Sequence, residues 1–111
     1  DWPGDYYKIH SKPVNPLVNI YEAVMRRAPG DPEEAAWRPE EGITVEEGLR
    51  AYTINPAYAS REETIKGSIT KGKLADLVVL SQDILEASPE ALLDTEVVYT
   101  IFDGEIVYKA K

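Results

Sequence analysis

Few residues in this 111-residue chain are of types and in settings that do chemistry. Asp1 opens it, His10 is its one histidine, and Glu46-Glu47, Asp76 and Asp103 are acidic residues at marked places in the pattern. An isolated aspartate can serve as a general base toward water. Metal-dependent hydrolysis needs several His, Asp or Glu ligands together, and His10 has no partner at ligand spacing, so it reads as a loop residue. Glu46 and Glu47 follow Thr44 and read as a helix start, not as an acid/base pair. Asp76 precedes an apolar run and Asp103-Gly104 is a turn dipeptide, so these residues read as structural. The sequence contains no Ser/His/Asp triad, phosphate-binding loop or aromatic-basic patch.

The acidic balance, 20 Asp and Glu against 12 Lys and Arg with a net charge of −8, argues against nucleic acid or an anionic membrane surface as partner. Cysteine is absent, which removes any disulfide framework or thiolate metal site and fits a cytoplasmic protein. No apolar stretch approaches the roughly 18 residues of a membrane-spanning helix, and no signal-peptide pattern opens the chain. It begins on Asp1-Trp2-Pro3 without an initiator methionine, which leads us to expect a missing upstream part.

The elements that must position these residues follow from spacing. Residues 1–14, with Trp2, Pro3, Gly4 and Pro13, have no helical or strand period and read as a loop. Asn15-Pro16 starts a helix expected over about 16–28, with Leu17, Ile20, Tyr21 and Val24 on one face. Residues 28–42 are an acidic, proline-bearing insertion with a short helical turn over 33–37 and Trp37 as its anchor. Thr44 and Glu47 form a capping box for a helix over about 45–58, kinked or ended near Asn55 by Pro56. Residues 61–66 are charged and expected at the surface. Two short strands around the Gly67–Gly72 stretch come next, the second being Leu77–Leu80, whose unbroken apolar run suits cover on both faces. Ser88-Pro89-Glu90 reads as a cap and first turn of a short helix through Leu93. Val97–Phe102 and Glu105–Lys109 flank Asp103-Gly104, the signature of a type I′ hairpin.

The stretch Lys66-Gly67-Ser68-Ile69, then Gly72-Lys73-Leu74-Ala75-Asp76-Leu77-Val78-Val79-Leu80, resembles the C-terminal signature of the amidohydrolase superfamily. Asp1-Trp2-Pro3, Asn15-Pro16-Leu17 and the segment Ile43 to Ala57 are similar to amidohydrolase family 3, its YtcJ-like branch. The resemblance runs through nearly the whole chain in order, apart from the insertion. It implies an α+β fragment: the last helices of a (β/α)8 barrel, then the C-terminal strands of a small flanking β-domain ending in the hairpin. Residues 1–66 would be the end of the barrel, an active-site loop plus the helices over 16–28 and 45–58, and residues 67–111 the β-domain part.

In the family, the aspartate before x-Pro follows the last barrel strand and helps position and deprotonate the attacking water. The resemblance therefore assigns Asp1 as the catalytic residue and as a candidate metal ligand, with the other ligands upstream. It implies a hydrolase of C–N, amide-like bonds in small molecules, with a divalent metal, zinc first, in the intact enzyme and none in the isolated fragment. The family's β-domain is completed by strands from upstream, so this sheet is expected to have an open edge and the isolated fragment to self-associate. The alternative from another class is a non-catalytic α+β interaction module, which would show a closed core and no apolar patch.

Overall fold

A computed structural model describes residues 15–111. Helix α1 spans Pro16–Met25, α2 Val45–Tyr52 and α3 Ile54–Ala59. Strands β1 (Leu77–Leu80), β2 (Val97–Phe102) and β3 (Glu105–Lys109) follow, with short 3₁₀ turns at Glu33–Ala35, Pro39–Glu41 and Pro89–Leu93. The strands form one antiparallel sheet in the order β1-β2-β3.

Helix α1 starts as its sequence dictates. The Leu17 amide donates to Asn15 Oδ1 at 2.9 Å, and Pro16 occupies the first turn, where no N–H is needed. It ends at Met25, three residues short of the expected 28, because Arg26 adopts left-handed geometry (φ 57°) and its amide closes the helix onto the Glu22 carbonyl. The insertion then folds back. The Trp37 amide donates to the Arg26 carbonyl at 2.8 Å, and the Arg26 and Arg38 guanidinium groups lie 5.0 and 5.3 Å from the Trp37 ring. Trp37 thus anchors the segment by its backbone and by cation–π contact while its ring stays exposed.

The Thr44–Glu47 capping box forms with both bonds in place, at 2.8 and 3.1 Å. The helix it opens does not run on to Asn55. It breaks at Thr53 (φ −126°, ψ −88°), and Asn55 is itself helical. The reason is Pro56: it has no N–H for the Tyr52 carbonyl four residues back, and its ring would collide with that carbonyl in a continuous helix. Restarting the helix at Ile54 places Pro56 in the first turn, where the missing donor costs nothing. Gly67 (φ 88°) packs its turn onto this break, since a Cβ there would lie 2.7 Å from Ala57 Cβ and 3.1 Å from Ile54 Cα.

The expected first strand of the Gly67–Gly72 stretch is absent; residues 68–70 form bends and coil. The Lys73 ammonium holds that loop by donating to the Glu63 and Lys66 carbonyls and to Ser68 Oγ, and the Leu74 amide donates to the Ile65 carbonyl at 2.8 Å. Within the stretch itself the Thr70 amide donates to the Ser68 carbonyl and the Lys73 amide to the Thr70 carbonyl, both at 3.1 Å, so its backbone groups close local turns rather than a strand ladder. Strand β1 forms as expected but is not covered on both faces: Val78 and Val79 are 56% and 42% exposed. Ser88 makes no side-chain capping bond, and Pro89–Leu93 is 3₁₀.

The core lies between α1 and the Pro89–Leu93 turn. Leu17, Ile20 and Tyr21 meet Ile84 and Leu92, with Val24, Met25, Val45, Leu49 and Leu80 around them. Leu92 is fully buried and Ile20 is 2% exposed. Helix α2 comes close because position 48 is glycine; a Cβ there would sit 2.7 Å from Ile20 Cγ2. Behind the core, Thr95 is buried and satisfied. Its hydroxyl donates to the Ala91 carbonyl at 2.6 Å and accepts from Gln82 Nε2 at 2.8 Å.

The hairpin turn takes the expected form, with positive φ at Asp103 (48°) and Gly104 (82°). No atom lies within 4 Å of a Cβ built on Gly104, so a substitution there meets only backbone strain. Gly104→Val is expected to lower unfolding free energy by about 1–2 kcal/mol. Urea denaturation measures it, and an unchanged midpoint would remove the turn assignment.

Candidate functional site

Asp1, assigned by resemblance as catalytic residue and metal ligand, and His10 both lie outside the described residues. Among the described residues there is no group of three or more His, Cys, Asp or Glu side chains able to hold a metal ion.

The remaining sequence candidates have structural roles. Glu47 is spent in the capping box of α2. Asp76 reaches 27 residues along the chain: its Oδ1 accepts from the Asp103 amide at 2.9 Å, while the Gly104 amide donates to the Ala75 carbonyl at 3.1 Å. The residues before β1 thus clamp the tip of the β2–β3 hairpin, which explains why the Ala75-Asp76 pair and the Asp103-Gly104 pair belong together.

What periodicity did not reveal is a shallow cleft of about 380 Å³ beside the α2–α3 break, lined by Arg50, Ile54, Asn55, Tyr58 and Glu63. Glu63 was expected to be exposed, yet its Oε2 is buried without a hydrogen-bond partner. The cleft exists because Pro56 breaks the helix and Gly67 lets the following loop close against it. A second depression of about 360 Å³, lined by Val24, Met25, Arg27, Glu33, Glu34, Ala36 and Pro39, separates α1 from the insertion. Arg27 reaches the Glu90 carboxylate at 3.9 Å, and its Nε is buried and unpaired. Among the described residues, neither depression is lined by a nucleophile paired with a base.

One carboxyl is electrostatically distinct. The Lys66 ammonium, 2.7 Å from Glu62 Oε2, and the Ser60 hydroxyl, also at 2.7 Å, hold the Glu62 carboxyl below its ordinary value.

The chain belongs to the amidohydrolase family (Amidohydro_3), whose model matches residues 5–108. It is 38% identical over 96 residues to an N-substituted formamide deformylase of Arthrobacter pascens, covering 86% of this chain and 17% of that protein. It is 33% identical over 98 residues to the putative amidohydrolase YtcJ of Bacillus subtilis, covering 88% of this chain and 18% of the relative. With Protein LONG AFTER FAR-RED 3 of Arabidopsis thaliana it shares 40% identity over 81 residues, 73% of this chain and 12% of that one. The chain thus spans less than a fifth of the length of these relatives. No solved structure matches it significantly. Among the described residues no helix is long and apolar enough to cross a membrane.

The Glu62 arrangement makes a pH-dependent prediction. Its depressed folded-state pKa means that the stabilisation is complete above the carboxyl's unfolded pKa and is lost as pH falls through the folded value. The effect is small, because the group is solvent-screened. Carboxyl NMR titration should place Glu62 below an unperturbed glutamate, and Lys66→Ala should move it back up. A Glu62 titration indifferent to Lys66 would refute the assigned cause.

Proposed function

We propose that this chain is the C-terminal part of a metal-dependent hydrolase acting on C–N, amide-like bonds of small molecules. The observation that carries the reading is the family match over residues 5–108. The similarity to a protein named for N-substituted formamides supports amide-like substrates. In this reading residues 1–66 are the end of a (β/α)8 barrel and residues 67–111 the C-terminal part of a flanking β-domain.

Asp1 is the residue of this chain that takes part in the reaction. The family resemblance gives it the role of general base: it accepts a proton from the attacking water and passes it toward the leaving nitrogen as the C–N bond breaks. A divalent ion, zinc the expected one, would be held mainly by side chains outside this chain. Helices α1 to α3 support the barrel wall, and the Asp76 clamp stiffens the β-domain.

A self-contained interaction module is the less supported reading. Its sheet would be covered, whereas Val78, Phe102, Ile106, Val107 and Tyr108 are exposed.

Two measurements test the proposal. The 1–111 chain incubated with Zn²⁺ should not hydrolyse amides or formamides; chelator-sensitive turnover lost in Asp1→Ala would show a complete site within the chain. In the intact enzyme, Asp1→Asn should leave the thermal midpoint nearly unchanged and lower kcat by about 10²-fold or more. Wild-type kcat in that variant would take Asp1 out of the mechanism.

A further inference from the structure

Lys73 closes the loop between the helices and the sheet without an ion pair. Its ammonium donates to the Glu63 carbonyl, to the Lys66 carbonyl at 3.3 Å and to Ser68 Oγ at 2.7 Å. Among the described residues the lysine that pairs with a carboxylate is Lys66, with Glu62, and not Lys73. Three ammonium protons thus meet three neutral oxygens, the kind of ligand set that replaces the hydration shell of a monovalent cation. The chain builds this cage locally. The Ile65 and Lys66 amides both donate to the Glu62 carbonyl at 3.0 Å, so the turn leaves the Glu63 and Lys66 carbonyls without a backbone donor. Gly67 then turns the chain with φ 88°, and Ser68 supplies the third oxygen, with Thr70 Oγ1 3.0 Å from its hydroxyl. Lys73 is half-buried, so without its ammonium these oxygens lose their donor in a partly dry place.

We propose that the Glu63 carbonyl, the Lys66 carbonyl and Ser68 Oγ form a monovalent-cation site that the Lys73 ammonium itself fills, and that this occupancy holds the junction between the helices and the sheet. Two of the residues involved also shape the α2–α3 cleft. Glu63 gives its carbonyl to the ammonium, while its carboxylate lines the cleft with Oε2 buried and unpaired. Gly67, between the Lys66 and Ser68 ligands, is the residue packed on Ile54 and Ala57 at the helix break. Among the described residues, one other hydrogen bond crosses the base of this loop, from the Leu74 amide to the Ile65 carbonyl at 2.8 Å. An emptied cage therefore leaves that single bond to hold Gly67 against the break, and lets water reach the Glu63 carboxylate, whose burial without a partner is costly. The charge is what the site requires: a neutral side chain of the same length fills the space but satisfies none of the three oxygens.

Amide hydrogen exchange of the 1–111 chain, read at Leu74 by NMR, tests this. Lys73→Met keeps the stem and removes the ammonium, and Leu74 protection should fall by about tenfold or more. Lys73→Ala removes the stem as well and opens the cage to a small cation. Its protection should also fall, and ammonium chloride should recover it where tetramethylammonium chloride at the same concentration does not, because the methylated ion is larger and has no N–H to donate. The wild type and Lys73→Met, whose cages are filled by the ammonium and blocked by the stem, should respond alike to the two salts. Unchanged Leu74 protection in Lys73→Met overturns the proposal. So does a Lys73→Ala chain on which the two salts act equally, the result for a lysine that works through packing or general screening alone. If Lys73→Ala is unfolded in plain buffer, circular dichroism makes the same comparison. Refolding in ammonium alone supports the site; refolding in neither salt, or equally in both, overturns it.

Discussion

Leu92 is seated against the Leu17-Ile20-Tyr21 stripe of α1, and this contact joins the ends of the chain. Leu92 has no exposed surface, and Ile84 lies beside it, so residues far downstream complete the core that α1 begins. Burying such side chains supplies about 1.5–3 kcal/mol each, enough to matter against the ordering cost of the loops that carry them. Without a glycine at position 48, α2 could not approach Ile20, and the stripe would stay open on that side. The Arg27–Glu90 pair reinforces the contact at its rim, where a partly exposed pair adds little.

This core leaves the sheet largely outside it. Leu80 is the strand residue that packs on the cluster, while the hairpin projects from it and is steadied at its tip by Asp76 and Ala75. The arrangement explains why an apolar strand sequence such as Leu77–Leu80 coexists with exposed valines: the run is written for cover that residues 15–111 do not themselves supply. The same projection leaves β3 exposed along its length.

The functional reading rests on a division between what a segment holds and what a whole enzyme needs. Family membership is carried by the order of motifs along the chain, from residue 5 to residue 108. Hydrolysis demands ligands and a substrate pocket gathered from many barrel strands, and the described residues contribute a charged cleft beside a broken helix rather than a ligand set. The Arg50–Glu63 cleft shows that folding here places opposite charges around a depression, a grouping fixed by Pro56 and Gly67.

Local chemistry makes much of this legible in the sequence. The Asn15 cap, the Thr44–Glu47 box and the Asp103-Gly104 turn each depend on groups within a few residues of one another, so the sequence alone determined them, and strands β2 and β3 with them. The motif order likewise determined the family. Three features depended on tertiary structure. The break fell at Thr53 because Pro56 acts on a carbonyl four residues back and Gly67 packs from outside the helix. The expected strand before Gly72 gave way to a loop because the Ser68 and Thr70 carbonyls are taken by the Thr70 and Lys73 amides, while the Lys73 ammonium ties the loop back to the Glu63 and Lys66 carbonyls. The buried Glu63 oxygen and the Asp76 clamp arise from residues that meet only after the chain has turned back on itself. Burial and long-range hydrogen bonding are properties of that meeting, and no local pattern encodes them.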